Sequence, residues 1–122
     1  MFDKKILVID DSETVLKTIK TFLEIEGFDV IVAHSGTEGF KIAKDEIPDL
    51  ILTDFVMPNL NGFHLAKLLH ADSDTKDIPV ILISSKGEKV GDKFKELTGI
   101  VDYLVKPFST KQLKEKIDNL FG

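Results

Sequence analysis

Short apolar runs alternate with stretches of helical period along the whole chain. The strand-like runs are Lys4–Ile9, Phe28–Ala33, Asp49–Thr53, Val80–Ser84 and Val101–Val105. Their interiors are mostly Val, Ile and Leu without strict polar alternation, as in strands covered on both faces. Between them, apolar residues recur at the spacing that gives a helix one buried face. Val15, Ile19, Phe22 and Leu23 form such a face, with Ser12 placed to cap the helix and Gly27 to stop it. Phe40, Ala43 and Ile47 form the second, opened by Ser35 and Glu38 at capping-box spacing. A third helix starts after Asn61-Gly62 and presents Phe63, Ala66 and Leu69. The weakest segment is the fourth, around Glu88–Leu97, because Gly87 and Gly91 each lower helix propensity by about 1 kcal/mol relative to Ala. The fifth opens at Ser109 with Gln112, again a capping-box spacing, and presents Leu113, Ile117 and Leu120.

Strand and helix thus alternate five times, which predicts an α/β fold with a parallel sheet and helices on both faces. Five strands suit an open, doubly wound sheet, since a closed barrel of this type needs eight. The chain is 122 residues long, the size of one domain, and no repeat, low-complexity tract or linker divides it. One domain spanning residues 1–122 is the expectation. Apolar residues make up 43% and charged residues 30%, which fits a folded globular chain and excludes a disordered one. The longest apolar runs, such as Ile6–Ile9, are far short of the roughly 20 residues of a membrane span. The N-terminus lacks the long apolar stretch of a signal peptide, and with no cysteine at all the chain reads as cytoplasmic. Sixteen Lys and Arg against 21 Asp and Glu give a net charge of −5, which argues against direct nucleic-acid binding.

The polar chemistry gathers where strands end. The first strand runs into Asp10-Asp11, the third into Asp54, the fourth into Ser84-Ser85 and the fifth into Lys106-Pro107. In open α/β sheets, ligands bind outside the carboxyl ends of the strands, at the point where strand order reverses. In the flavodoxin-like order 2-1-3-4-5, that crevice lies between strands 1 and 3, which would bring Asp10, Asp11 and Asp54 to one place. Like charges at short range raise one another's pKa unless a proton is shared or a cation is bound. Carboxylate oxygens with neither Cys nor His beside them favour Mg²⁺, or Mn²⁺, over Zn²⁺. Lys106 offers a second counter-charge.

These residues resemble a response-regulator receiver domain of the single-domain, chemotaxis-regulator type. The likeness runs over essentially the whole chain. It rests on Ile6-Leu-Val-Ile-Asp10-Asp11-Ser12, Asp49-Leu-Ile-Leu-Thr-Asp54-Phe-Val-Met-Pro58, Asn61-Gly62, Ile78-Pro79-Val-Ile-Leu-Ile-Ser84 and Asp102-Tyr103-Leu-Val-Lys106-Pro107-Phe108. The resemblance implies the flavodoxin-like (βα)₅ sandwich with strand order 2-1-3-4-5. It implies a two-component phosphoacceptor that takes a phosphoryl group from a histidine kinase or phosphotransfer protein onto Asp54. Asp10, Asp11, Asp54 and the backbone carbonyl of Val56 match the Mg²⁺ ligands. Ser84 matches the hydroxyl that meets the phosphoryl group, and Lys106 the lysine that pairs with it, joined to Pro107 by a cis bond. Ser84 and Tyr103 match the switch pair, and the output face for a downstream protein would be the fourth helix, fifth strand and fifth helix.

Val56 and Lys86 occupy the positions that tune phosphate lifetime in such domains. Valine has no polar side chain to position an attacking water, so self-dephosphorylation is expected to be slow. His34, His64 and His70 lack metal-site spacing and read as surface residues. Phe55 and Met57 read as loop packing.

Competing functions fit the residues less well. A phosphatase of the haloacid dehalogenase type places its nucleophile in an Asp-x-Asp on the first strand, whereas here the doublet is Asp10-Asp11. A flavodoxin-like carrier would be repelled by two aspartates where its phosphate loop belongs. A receiver that works without phosphate would not need the full acidic set. A phosphorelay carrier, or the receiver of a longer transcription regulator, remains an alternative within the same chemistry.

Overall fold

In the computed structural model, residues 4–85 and 99–122 are described; the helix expected around Glu88–Leu97, together with Lys86, lies outside them. Five strands form one parallel sheet: β1 (Lys5–Ile9), β2 (Asp29–Ala33), β3 (Leu50–Asp54), β4 (Val80–Ser85) and β5 (Ile100–Lys106). Their order is 2-1-3-4-5, as expected. Four helices are present among the described residues: α1 (Glu13–Ile25), α2 (Gly36–Glu46), α3 (Gly62–Ala71) and α4, the C-terminal helix (Thr110–Phe121). None is long and apolar enough to cross a membrane.

Successive strand residues point to opposite faces, and here both faces are apolar. Ile6, Val8, Leu50, Leu52, Ile81, Ile83 and Leu104 pack with Leu16, Ile19 and Leu23 of α1 and Leu113 and Ile117 of α4. Leu7, Ile9, Ile51, Val80, Leu82 and Ile100 pack on the other side with Ala43 of α2 and Leu65, Ala66 and Leu69 of α3. Full burial of each such side chain contributes about 1.5–3 kcal/mol. That reserve lets the sheet carry buried carboxylates at its end without losing the fold.

The caps explain where the helices begin. Ser12 accepts from the Val15 N–H, and Asn61 from the His64 N–H. At α4 the Ser109–Gln112 box is complete in both directions. At α2 it is half formed: Ser35 accepts from the Glu38 N–H, but the Glu38 carboxylate accepts from the N–H of His34, one residue too early. The α2 face also differs from expectation. Ile47 follows the helix in a left-handed conformation, φ 44°, and its side chain is exposed. Gly36 and Gly39 supply the buried positions instead.

Candidate functional site at the carboxyl ends of the strands

The β1–β3 register pairs Ile9 with Thr53, so the next residues, Asp10 just past β1 and Asp54 at the end of β3, stand side by side. Alternation decides where they point. Ile6 and Val8, Leu50 and Leu52, and Leu104 all face α1 and α4. Two residues further along each strand, Asp10, Asp54 and Lys106 continue toward the same side. The result is direct contact: the Lys106 ammonium lies 3.2 Å from Asp10 Oδ2 and 3.3 Å from Asp54 Oδ1.

Both carboxylates are almost completely buried, with side-chain exposure of 2% for Asp10 and 9% for Asp54. Asp11 stands at the rim and is exposed. One oxygen from each of Asp10, Asp11 and Asp54 can be chosen so that all lie within 4.8 Å of one another. Asp10 spends its second oxygen, Oδ1, on the Ser12 N–H at 2.9 Å, which ties the acidic turn to the start of α1. Asp54 is held from behind. The Thr53 hydroxyl donates to the Asp54 carbonyl at 3.1 Å, and the Phe55 N–H donates to Ile83 O of β4 at 2.8 Å.

Electrostatics follow from this crowding. Burial, and then the Asp10 charge, push the Asp54 carboxyl from 3.8 up to about 6, against the pull of Lys106 and the Phe55 N–H. Burial opposes the charge on Lys106, but Asp10 and Asp54 outweigh it and hold its pKa above the ordinary value. Three carboxylates thus face one ammonium. Oxygen donors at this spacing, still carrying excess negative charge, fit a hard divalent ion of the Mg²⁺ or Mn²⁺ kind and offer nothing to a soft one.

Ser84 is buried near the end of β4, opposite Val105 of β5. Tyr103 is half-buried on β5 and packs with the α2–α3 core. Val56 is 60% exposed in the segment after β3, flanked by Phe55 and Met57, which turn inward onto the same core. The Lys106–Pro107 bond is cis, as the resemblance implies. Beside Lys106, an apolar groove of about 490 Å³ opens between α1 and the segment after β5, lined in part by Val15, Phe22, Pro107 and Phe108. The supports that sequence reading misses are Thr53 and the Ser12 N–H; Thr53 carries no signal for its contact, whereas an aspartate side chain turning back on the N–H two residues ahead is a signal that Asp10 offered.

A family model for the response regulator receiver domain matches residues 6–118. The chain is 38% identical over 120 residues to the chemotaxis protein CheY1 of Helicobacter pylori, covering 97% of each. It is 40% identical over 118 residues to the probable transcriptional regulator ycf27 of Porphyridium aerugineum, where it spans only 48% of that protein. The crystal structure of a response regulator receiver domain protein from Clostridium thermocellum superposes with a TM-score of 0.85, at 35% identity, over 95% of this chain and 92% of that one. With the strand order, the acidic crevice and these matches in agreement, the chain belongs to the response regulator receiver domain family, the phosphoacceptor domains of two-component signalling.

Proposed function

We propose that Asp54 is the phosphoacceptor and that Asp10, Asp11, Lys106 and Ser84 make its phosphorylation possible. The observation that carries this reading is a nearly buried carboxylate at the end of β3 that shares a single lysine with a second buried carboxylate. A divalent ion held by Asp10, Asp11, Asp54 and the Val56 carbonyl supplies positive charge beside the transferring phosphoryl oxygens. The protein's own groups do the rest. An Asp54 oxygen attacks phosphorus in line with the donor's phosphorus–nitrogen bond. That bond breaks as the phosphorus–oxygen bond forms, and its electron pair returns to the imidazole of the partner kinase or phosphotransfer protein. Such a transfer needs positioning and charge neutralisation more than covalent help. Lys106, already within ion-pair distance of Asp54, neutralises an oxygen of the new acyl phosphate. The Ser84 hydroxyl donates to another.

Drawing Ser84 toward the phosphoryl group frees space behind β4, into which Tyr103 moves. This local charge change biases the face around β5 and α4 that meets the downstream protein. Hydrolysis is slow because Val56 offers no group to hold a water. The Val56→Asn variant is expected to lose its phosphoryl group faster than the parent in a decay assay, and equal decay contradicts that point. The chemistry is the same whether the chain acts alone, as a phosphorelay carrier, or as the receiver of a longer transcription regulator.

Incubation with acetyl phosphate and Mg²⁺, followed by intact mass measurement, tests the reading. The parent gains one phosphoryl group, and Asp54→Ala gains none. An unmodified parent, or an Asp54→Ala variant modified as readily, refutes it.

A further inference from the structure

This inference rests on the reading of the site just given and concerns how the Val56 carbonyl is brought to it. Val56 lies in the segment 55–61, which is fastened at both ends. At its start, the Phe55 N–H donates to Ile83 O and the Phe55 carbonyl accepts from the Gly62 N–H, each at 2.8 Å. At its far end, a Cβ at position 62 would overlap the Asp54 carbonyl oxygen and come within 2.9 Å of Leu82 Cδ1. Only a glycine lets α3 begin so close to the phosphoacceptor's own backbone. The second close approach comes from α2, which contributes no side chain to the acidic cluster. A Cβ on Gly36 would lie 2.8 Å from the Leu60 carbonyl oxygen and 3.0 Å from both Leu60 Cβ and Cδ2. The first separation, to a backbone atom, is shorter than packed atoms tolerate, and the other two are tight enough that Leu60 has to give.

We propose that Gly36 is a positioning residue for the acidic site: by letting α2 lie against Leu60, it sets the course of residues 55–61 and so the place of the Val56 carbonyl beside Asp54. A methyl group at 36 has to move Leu60. Leu60 cannot pass the strain forward, because Gly62 is wedged against Asp54. The displacement therefore falls back on residues 56–59, where Asn59 already holds a left-handed φ of 70°. Gly39, one turn further along α2, is the natural control. A Cβ there would overlap Ile9 Cδ1 and lie 3.0 Å from Ile9 Cγ1, a comparably crowded contact that falls on the core and not on residues 55–61.

The test compares the parent with Gly36→Ala and Gly39→Ala in two measurements. One is calorimetric Mg²⁺ titration; the other is the Val56 carbonyl chemical shift in the metal-free protein. Gly36→Ala is expected to bind Mg²⁺ about tenfold more weakly, the scale on which outer supports act on metal sites, and to move the Val56 resonance. Gly39→Ala, whose strain falls on Ile9 of β1, keeps the parent's Val56 shift. Parent-like values in Gly36→Ala, or an equal Val56 movement in both variants, overturn the inference. If Gly36→Ala does not fold, Leu60→Ala loosens the same contact from the other side: weaker binding with a moved Val56 signal supports the inference, and parent values overturn it. A parent that takes up no Mg²⁺ refutes the site reading instead, and the Val56 shift alone then decides the role of Gly36.

Discussion

The two ends of the sheet carry the same kinds of charged side chain in opposite settings. At the amino end, Lys5 pairs with Glu46 at 2.9 Å, and its backbone N–H donates to Asp49 Oδ2 at 2.8 Å. Both side chains of that pair reach solvent, with exposures of 29% and 47%. At the carboxyl end, Asp10 and Asp54 are buried and share Lys106, with Asp11 at the rim. At the amino end Glu46, Asp29 and Asp49 all act on Lys5, but these charges are bathed in water, where an ion pair adds little to stability. The carboxyl-end charges are unmatched and desolvated, and each buried carboxylate without a full partner weakens the fold. A chain gains nothing structurally from that arrangement. The difference teaches that charge excess in a dry place, more than charge itself, marks the end of the sheet where chemistry happens.

Lys106 should produce the largest effect when this contrast is broken. Lys106→Ala leaves the acids able to hold a cation but removes the fixed positive charge that meets the phosphoryl group. Loss of one preorganised charge of this kind costs about a hundredfold or more in rate. The rate of phosphoryl gain from acetyl phosphate is the measurement, and a variant as fast as the parent removes Lys106 from the mechanism.

Asp54→Asn sharpens the contrast on the stability side, in metal-free buffer. The fold holds the Asp54 proton more tightly than the unfolded chain does, because the carboxyl lies near 6 in one and near 3.8 in the other. The ionised form therefore weakens the fold fully above about pH 6, and the penalty fades as pH falls toward and below 3.8. Asp54→Asn should be more stable than the parent at neutral pH by about 1–2 kcal/mol, after allowance for solvent screening of a group at the sheet's end. The advantage should vanish in acid, as urea unfolding at several pH values will show. An advantage that grows on acidification reverses the sign and contradicts the burial argument.

The smallest effect belongs to the amino end. Glu46→Gln removes the partner of Lys5, yet the melting temperature should match the parent within error. A large loss there would show that solvent-exposed pairs matter as much as buried ones in this protein.

Much of this was legible before any coordinates. Runs such as Ile6–Ile9 and Val80–Ile83 read as strands covered on both sides, and the acids immediately after the first and at the end of the third come together if those strands are neighbours. Caps were legible as well, because Ser12 and Ser109 act on backbone N–H groups close by in sequence, whereas the capping role of Asn61 was not read. Tertiary packing explains what could not be read. Ile47 continues the periodicity of α2, but the helix stops one residue earlier, and a left-handed backbone takes the side chain off the buried face. Glu38 sits at capping-box spacing, but the His34 N–H claims its carboxylate. The close approach of Gly62 to the Asp54 backbone depends on atoms that only the folded β3–α3 segment brings together.

The central claim is that the excess negative charge between β1 and β3 is a binding site for a hard divalent ion. Calorimetric titration of Mg²⁺ into the parent, repeated on Asp54→Asn, tests it most directly. The account predicts uptake of a single ion by the parent at millimolar concentration and a clear loss of affinity in the variant. No uptake by the parent, or equal uptake by both, contradicts it.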